Sequence, residues 1–405
     1  MTTVDDQRTT TQHGLGEHSH GAGADRANGH GGSSLHRFAS FDVGAHDVPR
    51  GREEAWRFTP MARLRGLHVD TALDGDDYEV TVDADPQVGV ETGDAAHPRR
   101  GSSGYVPSDR VSARAWDEAD RVLTVTVPRE VAASKPTMVR LRGLSAEKAA
   151  AGHVVVTAEA FSQGVVVLEY EGSATFAENV EVVVHDGADL TLVTLQEWAD
   201  DAVHLSHHHV RVGRDATVKH VVVTFGGDLV RTATSLDYAG PGGDAQLLGM
   251  YFVDAGQHVE NRLFVDHNTP HARSNVAYKG ALQGKNAHAV WVGDVLIRPE
   301  AEGISTYELN RNLVLTDGAR ADSVPNLEIE TGEIVGAGHA SATGRFDDEQ
   351  LFYLQARGIP EDQARRLVVR GFFTSLISQI GVPALTDHLL AAVERELALH
   401  EAGAV

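Results

Sequence analysis

The residues of this chain best suited to chemistry are its histidines: there are 22 of them, and no cysteine. An imidazole can ligate a metal ion or carry a proton near neutral pH. The densest run is His204-Leu205-Ser206-His207-His208-His209. On a strand, His207 and His209 share one face and His208 points to the other. Two imidazoles on one face begin a metal site, with a third ligand due from a neighbouring turn of chain; the alternative is a hydrogen-bonded ladder. His339 stands alone in Val335-Gly336-Ala337-Gly338-His339-Ala340-Ser341-Ala342-Thr343-Gly344. Its glycines let another backbone come close, so it reads either as an interface histidine or as a structural one. His13, His18, His20 and His30 lie in a Gly/His-rich stretch suited at most to loose metal binding.

Other chemical signatures fail on inspection. Gly280-Ala281-Leu282-Gln283-Gly284-Lys285-Asn286 has three residues between its glycines where a phosphate loop has four. It also has Asn where that loop needs Ser or Thr to hold magnesium. Gly336-Ala337-Gly338 lacks the third glycine of a dinucleotide fingerprint. There is no His-Glu-x-x-His and no Gly-x-Ser-x-Gly, and no spacing singles out an acid/base pair of carboxylates. The missing cysteine excludes disulfides, thiol catalysis and thiolate-bound zinc, and the chain cannot hold an iron–sulfur cluster on its own thiolates.

The elements that must position these residues fall into four stretches. Residues 1–35 carry almost no large apolar side chains and are expected to be a disordered tail. Residues 36–119 form a helical or mixed region. Glu53, Glu54 and Arg57 alternate there with Trp56, Phe58, Met61, Leu64 and Leu67, which predicts two short helices bent at Pro60. Residues 120–344 read as strand after strand, for example Leu190-Thr191-Leu192-Val193-Thr194-Leu195. A polar or Gly residue followed by Ala opens turns at Ala188, Ala216, Ala245, Ala272, Ala287 and Ala319, in steps of 28, 29, 27, 15 and 32. Periods near that length suit a β-solenoid, and the competing architecture is a β-sandwich. Residues 345–405 are helical. Asp347 and Gln350 read as a capping pair and Gly358 as a stop, with Pro360 opening the next helix. Ala364, Leu367, Val368, Gly371, Phe372, Ser375, Leu376 and Ile380 form one apolar face, and Leu385, Leu389, Val393 and Leu397 line a third helix.

Charge and composition narrow the function. The chain has 35 Lys+Arg against 58 Asp+Glu, a net charge of −23. That field repels phosphate backbones and anionic lipid, so neither nucleic acid nor membrane is an expected partner. No apolar run of about 18 residues appears. The start, Met1-Thr2-Thr3-Val4-Asp5-Asp6, lacks the apolar core of a secretion signal, so a cytoplasmic location is expected. A β-helix enzyme acting on carbohydrate would want such a signal, a stacked-aromatic groove and a carboxylate cluster, yet aromatics are only 6%.

Four stretches in order carry a resemblance. They are Ser323-Val324-Pro325-Asn326-Leu327-Glu328-Ile329, Gly338-His339-Ala340-Ser341-Ala342-Thr343-Gly344, Asp348-Glu349-Gln350-Leu351-Phe352-Tyr353-Leu354-Gln355-Ala356-Arg357-Gly358-Ile359-Pro360 and Arg370-Gly371-Phe372-Phe373. Together they resemble the SufB/SufD family. Glu54-Ala55-Trp56-Arg57-Phe58-Thr59-Pro60 and the absence of cysteine resemble its SufD branch. The resemblance implies a mainly β fold, a right-handed parallel β-helix flanked by an N-terminal helical region and a C-terminal helical domain. It implies a non-catalytic subunit of an iron–sulfur cluster assembly complex, paired with SufB and docked through its C-terminal helices to the ATPase SufC. ATP would act through SufC. No cofactor would be held stably by this chain alone, while a transient cluster or iron would sit at the SufB interface. His339 occupies the position of the shared metal residue. Some relatives carry a cysteine two residues earlier, where this chain has Ala337. Asn326, Glu328, Phe352, Arg370, Phe372 and Leu376 are the other expected interface residues, with Phe372 and Leu376 facing either the helical core or the ATPase. A SufB-like scaffold acting as a homodimer is the alternative within the family.

Overall fold

Runs such as Val180-Glu181-Val182-Val183-Val184 and Val221-Val222-Val223 build strands because β-branched side chains suit a pleated, buried surface. The computed structural model describes residue 35, residues 38–346 and residues 348–401. Residues from 38 onward belong to one unit, Arg37–Val405. The tail histidines His13, His18, His20 and His30 and the cap expected at Asp347 lie outside the described residues.

Two short strands, β1 (Tyr78–Asp83) and β2 (Gly89–Asp94), precede the helix α1 (Arg110–Glu118). Strands β3 (Arg121–Val127), β4 (Thr137–Ala158), β5 (Gln163–Val184), β6 (Asp189–Trp198) and β7 (Val203–Val212) follow. Next come β8 (Thr217–Phe225), β9 (Leu229–Tyr238), β10 (Asp244–Val253), β11 (His258–His267) and β12 (Arg273–Leu282). The series closes with β13 (His288–Ile297), β14 (Ile304–Val314), β15 (Arg320–Ile329) and β16 (Ile334–Arg345). Three helices end the chain: α2 (Asp348–Gln355), α3 (Glu361–Ile380) and α4 (Pro383–Glu401).

Strands β6, β8, β10, β12, β14 and β16 pair in parallel as one sheet, and β7, β9, β11, β13 and β15 as a second. The long β5 joins both, its first half against β6 and its second half against β7. The chain thus winds as a parallel β-solenoid of about eight turns. Leu190, Val218, Ala245 and Ser274 stack in register, one per turn. The irregular alanine repeat now has a cause. Ala188, Ala216, Ala245 and Ala272 turn the corner into the first sheet, whereas Ala287 and Ala319 lead into β13 and β15 of the second. The step of 15 crosses from one corner to the other.

Three apolar layers follow from this winding. The interior between the sheets holds residues such as Leu190, Val218, Tyr251, Tyr278 and Trp291. The outer face of the first sheet, with Val193, Val221, Leu248, Met250 and Phe252, is covered by α3 and α4. The outer face of the second, with Ala177, Val203, Leu205 and Leu229, is covered by Trp56, Leu64, Leu67 and α1. Strands covered on both faces read as unbroken apolar runs, which explains Val221-Val222-Val223. At the N-terminal end the stack closes with β1 antiparallel on β4 and β2 antiparallel on β3.

Two expectations are corrected. The stretch 50–67 is not a pair of helices but a series of turns with one 3-10 turn at Met61–Arg63. The Glu53 carboxylate takes the backbone N–H groups of Arg50 and Arg52, and Gly51, Arg65 and Gly66 adopt positive φ, which a helix cannot accommodate. The buried face of α3 is Ala364, Val369, Phe373, Leu376, Ile377 and Ile380, while Leu367 is exposed. The helix is rotated from the expected face because Phe373 and Ile377 seat on the flat sheet beside Leu248 and Phe252. The third helix buries Leu385, Leu389, Val393 and Leu397 as its spacing predicts.

Candidate functional site

The two free ends of the strand path are β15 and β16, the last strand of each sheet. Among the described residues each pairs on one side only, with β13 and β14 respectively. Their other edges keep a row of backbone donors and acceptors available to another chain. Unlike the deeper turns, these strands are half-buried or exposed along their whole length. Val335 is 77% exposed and Ile329 42%.

His339 lies on β16 and is exposed. Its register partner on β14 is Glu308, and partners in a parallel pair point to the same side. Ala337, two residues earlier, packs against the interior core, so the same side of β16 faces the inside of the solenoid. His339 therefore stands over the open end of the interior, above Glu308. Small residues around it, Gly338, Ala340 and Ser341, leave that end uncrowded.

Glu308 is the functional candidate that sequence reasoning missed. It is buried, and neither carboxyl oxygen has a hydrogen-bond partner. Burial, with a smaller push from Asp294, raises its pKa to about 8. The nearby Trp291 Nε1–H is also buried without a partner. Next to it the interior is polar but satisfied: Asn310 Nδ2 donates to Tyr251 Oη (3.0 Å), Asn312 Nδ2 to Asn310 Oδ1 (2.8 Å), and Ser323 Oγ to Asn310 Oδ1 (2.6 Å). Glu308 is one of 58 acidic residues, and only the turn-to-turn register singles it out.

The other expected interface residues divide between several surfaces. Asn326 and Glu328 lie on β15, on the opposite side from Leu327, which packs inward; Asn326 Nδ2 donates to Asp294 Oδ1 (2.7 Å). Phe352 on α2 is 71% exposed beside exposed Tyr353. Arg370 is exposed on α3. Phe372 is half-buried, with Lys279 Nζ donating to its carbonyl (2.7 Å) and lying 5.1 Å from its ring centre. Leu376 is buried against the sheet, so of its two expected orientations it takes the core.

In the histidine run, His207 and His209 share the outer face with Tyr105 and His208 points inward. His207 Nε2 and His209 Nδ1 both contact Ser235 Oγ, at 3.2 and 2.8 Å. His208 Nδ1 lies 2.9 Å from His220 Nε2, and burial drives both rings' pKa values down, that of His220 to about 4. Among the described residues no group of three or more His, Asp or Glu is arranged as a metal ligand set. No described helix is long and apolar enough to cross a membrane.

Residues 141–372 match the family model for the SUF system FeS cluster assembly SufBD core domain. The chain belongs to the SufB/SufD family. It is 56% identical over 370 residues to an iron–sulfur cluster assembly SufBD family protein of Mycobacterium bovis, covering 90% of this chain and 93% of that one. A SufBD family protein of Mycobacterium leprae is 53% identical over 370 residues, covering 90% and 94%. The iron–sulfur cluster assembly protein SufD of Bacillus subtilis is 26% identical over 279 residues, covering 67% and 63%. The family match spans most of the solenoid and reaches into α3, and so includes Glu308, His339 and Phe352.

Proposed function

We propose that this chain is a non-catalytic, cytoplasmic subunit of an iron–sulfur cluster assembly complex, formed with a SufB-type partner and the ATPase SufC. The observation that carries this reading is the unpaired end of the solenoid, with β15 and β16 exposed and His339 standing over the opening. Both broad faces of the solenoid are covered by this chain's own segments, which leaves that end for a partner of the same fold. Pairing there adds strand to strand and brings foreign side chains to His339.

The nascent cluster or iron is the cargo of such a complex. This chain offers it an imidazole and, one strand behind, the Glu308 carboxyl, but no thiolate. Iron–sulfur clusters are held by thiolates, so those must come from the partner. Iron and sulfide added to the isolated chain are expected to leave no stable cluster; a stable one favours a homodimeric scaffold.

Helices α2 and α3 are the proposed dock for SufC. Phe352, Tyr353 and Leu367 are exposed apolar groups there, and Arg370 is exposed among them. Helix α3 is fastened to the sheet: Lys219 Nζ donates to the Ile380 carbonyl (3.1 Å) and Lys279 Nζ to Ser375 Oγ (2.7 Å). Closure of the ATPase would therefore move the solenoid as well as the helices.

The test is His339→Ala in the co-expressed complex. The complex should assemble normally, while cluster transfer to an apo-ferredoxin should fall at least about tenfold, the lower bound seen when even a ligand's outer partner is lost. Wild-type maturation in this variant would remove His339 from the mechanism.

A further inference from the structure

A second histidine pair lies on the outer face of the other sheet, away from His339. His258 on β11 and His288 on β13 are register partners, next to Arg320 on the edge strand β15. Their Nδ1 atoms face each other at 3.2 Å, with the rings nearly perpendicular (68°). Behind each ring stands a carboxylate. His288 Nε2 is 2.7 Å from Asp322 Oδ2, and His258 Nε2 is 3.3 Å from Glu260 Oε2.

Guanidinium groups flank both carboxylates: Arg231 Nε and Arg262 Nε donate to Glu260 Oε1 at 3.4 and 2.7 Å. Arg320 Nε lies 2.7 Å from Asp322 Oδ2. A carboxylate held by guanidinium donors is an acceptor, so each ring directs an Nε2–H toward it. In that tautomer each Nδ1 carries a lone pair, and the two Nδ1 atoms meet across 3.2 Å. A cation between them would satisfy both.

Two nitrogens bound to one tetrahedral zinc-type ion, each at about 2.0–2.1 Å, stand about 3.3 Å apart. Carboxylates behind the imidazoles are the usual device that orients metal-binding histidines. We propose that His258 Nδ1 and His288 Nδ1 form a two-nitrogen site for a borderline divalent transition ion such as Zn²⁺ or Co²⁺, its remaining positions filled by water. Imidazole donors disfavour Mg²⁺ and Ca²⁺. Water reaches the site from the His288 side, whose side chain is 21% exposed against 1% for His258. The charged groups facing the pair are Glu260, Asp322, Arg231, Arg262 and Arg320, and Asp109 lies 3.8 Å from Arg231. The ion would tie β11 to β13 next to the last turn of the solenoid. The competing occupant is a proton shared by the two rings.

The test is a Co²⁺ titration of the full-length chain, followed by visible absorption and by competition with Zn²⁺. The background carries His13, His18, His20 and His30→Gln, which removes the tail as a source of binding. One Co²⁺ per chain should bind, and His288→Gln should lose it. Asp322→Asn keeps both imidazoles and should weaken binding about 10–100-fold. Equal Co²⁺ stoichiometry in His288→Gln would overturn the proposal. So would absence of Co²⁺ binding together with an NMR signature of one proton shared between the rings.

Discussion

At the scale of single residues, the solenoid interior stores its polarity at a few named places. Glu308 keeps a proton in the folded chain that the unfolded chain would release, because its pKa is about 8 when buried against an ordinary value of 4.5. Its contribution is therefore whole below about pH 4.5 and is lost as pH rises toward 8. The cost is on the order of 3 kcal/mol by pH 7. Urea melts of wild type and Glu308→Gln from pH 5 to 9 should diverge, with the variant losing less stability as pH rises; parallel curves would refute the buried acid. His220 works in the opposite sense. Its depressed pKa leaves stability whole above about 6.5 and drains it as pH falls toward 4. The interior also depends on missing side chains. Tyr251 lies over Gly280 and Tyr278 over Gly249, so a Cβ at either glycine would fall inside a ring. Gly280→Ala should destabilise by about 1–3 kcal/mol or more, as overpacked cores do, and a thermal melt reads this directly.

At the scale of elements, the question is which face of each helix serves the core and which is left for a partner. Leu376→Asp buries a charge against the first sheet and should unfold the helical layer, costing several kcal/mol. Leu367→Asp or Phe352→Asp places the charge on an exposed surface and should leave circular dichroism and Tm unchanged while abolishing SufC pull-down. Retained pull-down in both surface variants would move the dock off α2 and α3. The amphipathic pattern revealed that these helices exist and where they end, since Gly358 and Gly381 both adopt left-handed φ. It could not reveal the rotation of α3, because Leu367 and Phe373 are equally apolar and only the sheet beneath selects between them. Helix α1 was hidden for a different reason. Its cap pairs Asp109 with Ser112, without the Glu or Gln that marks a usual capping box.

At the scale of the whole molecule, one design runs through the chain: a stack of turns, covered on both broad faces and at its first turn, and left open at its last. The β-branched alternation and the turn alanines made the stack legible, though their mixed corners blurred the period. His339 was legible as a candidate because the stretch around it, Gly338 to Gly344, resembles the SufB/SufD family. Glu308, His258 and His288 were not, since each gains meaning only from a residue about 30 positions away that the winding brings alongside. Backbone amides on the open edges exchange with water unless a second chain pairs with them. Hydrogen exchange of this chain, alone and with its SufB-type partner, is the most direct measurement. The account predicts that protection appears on pairing within 320–329 and 334–345 and is little changed in α3 and α4. Protection confined to the helices, or none in β15 and β16, would contradict it.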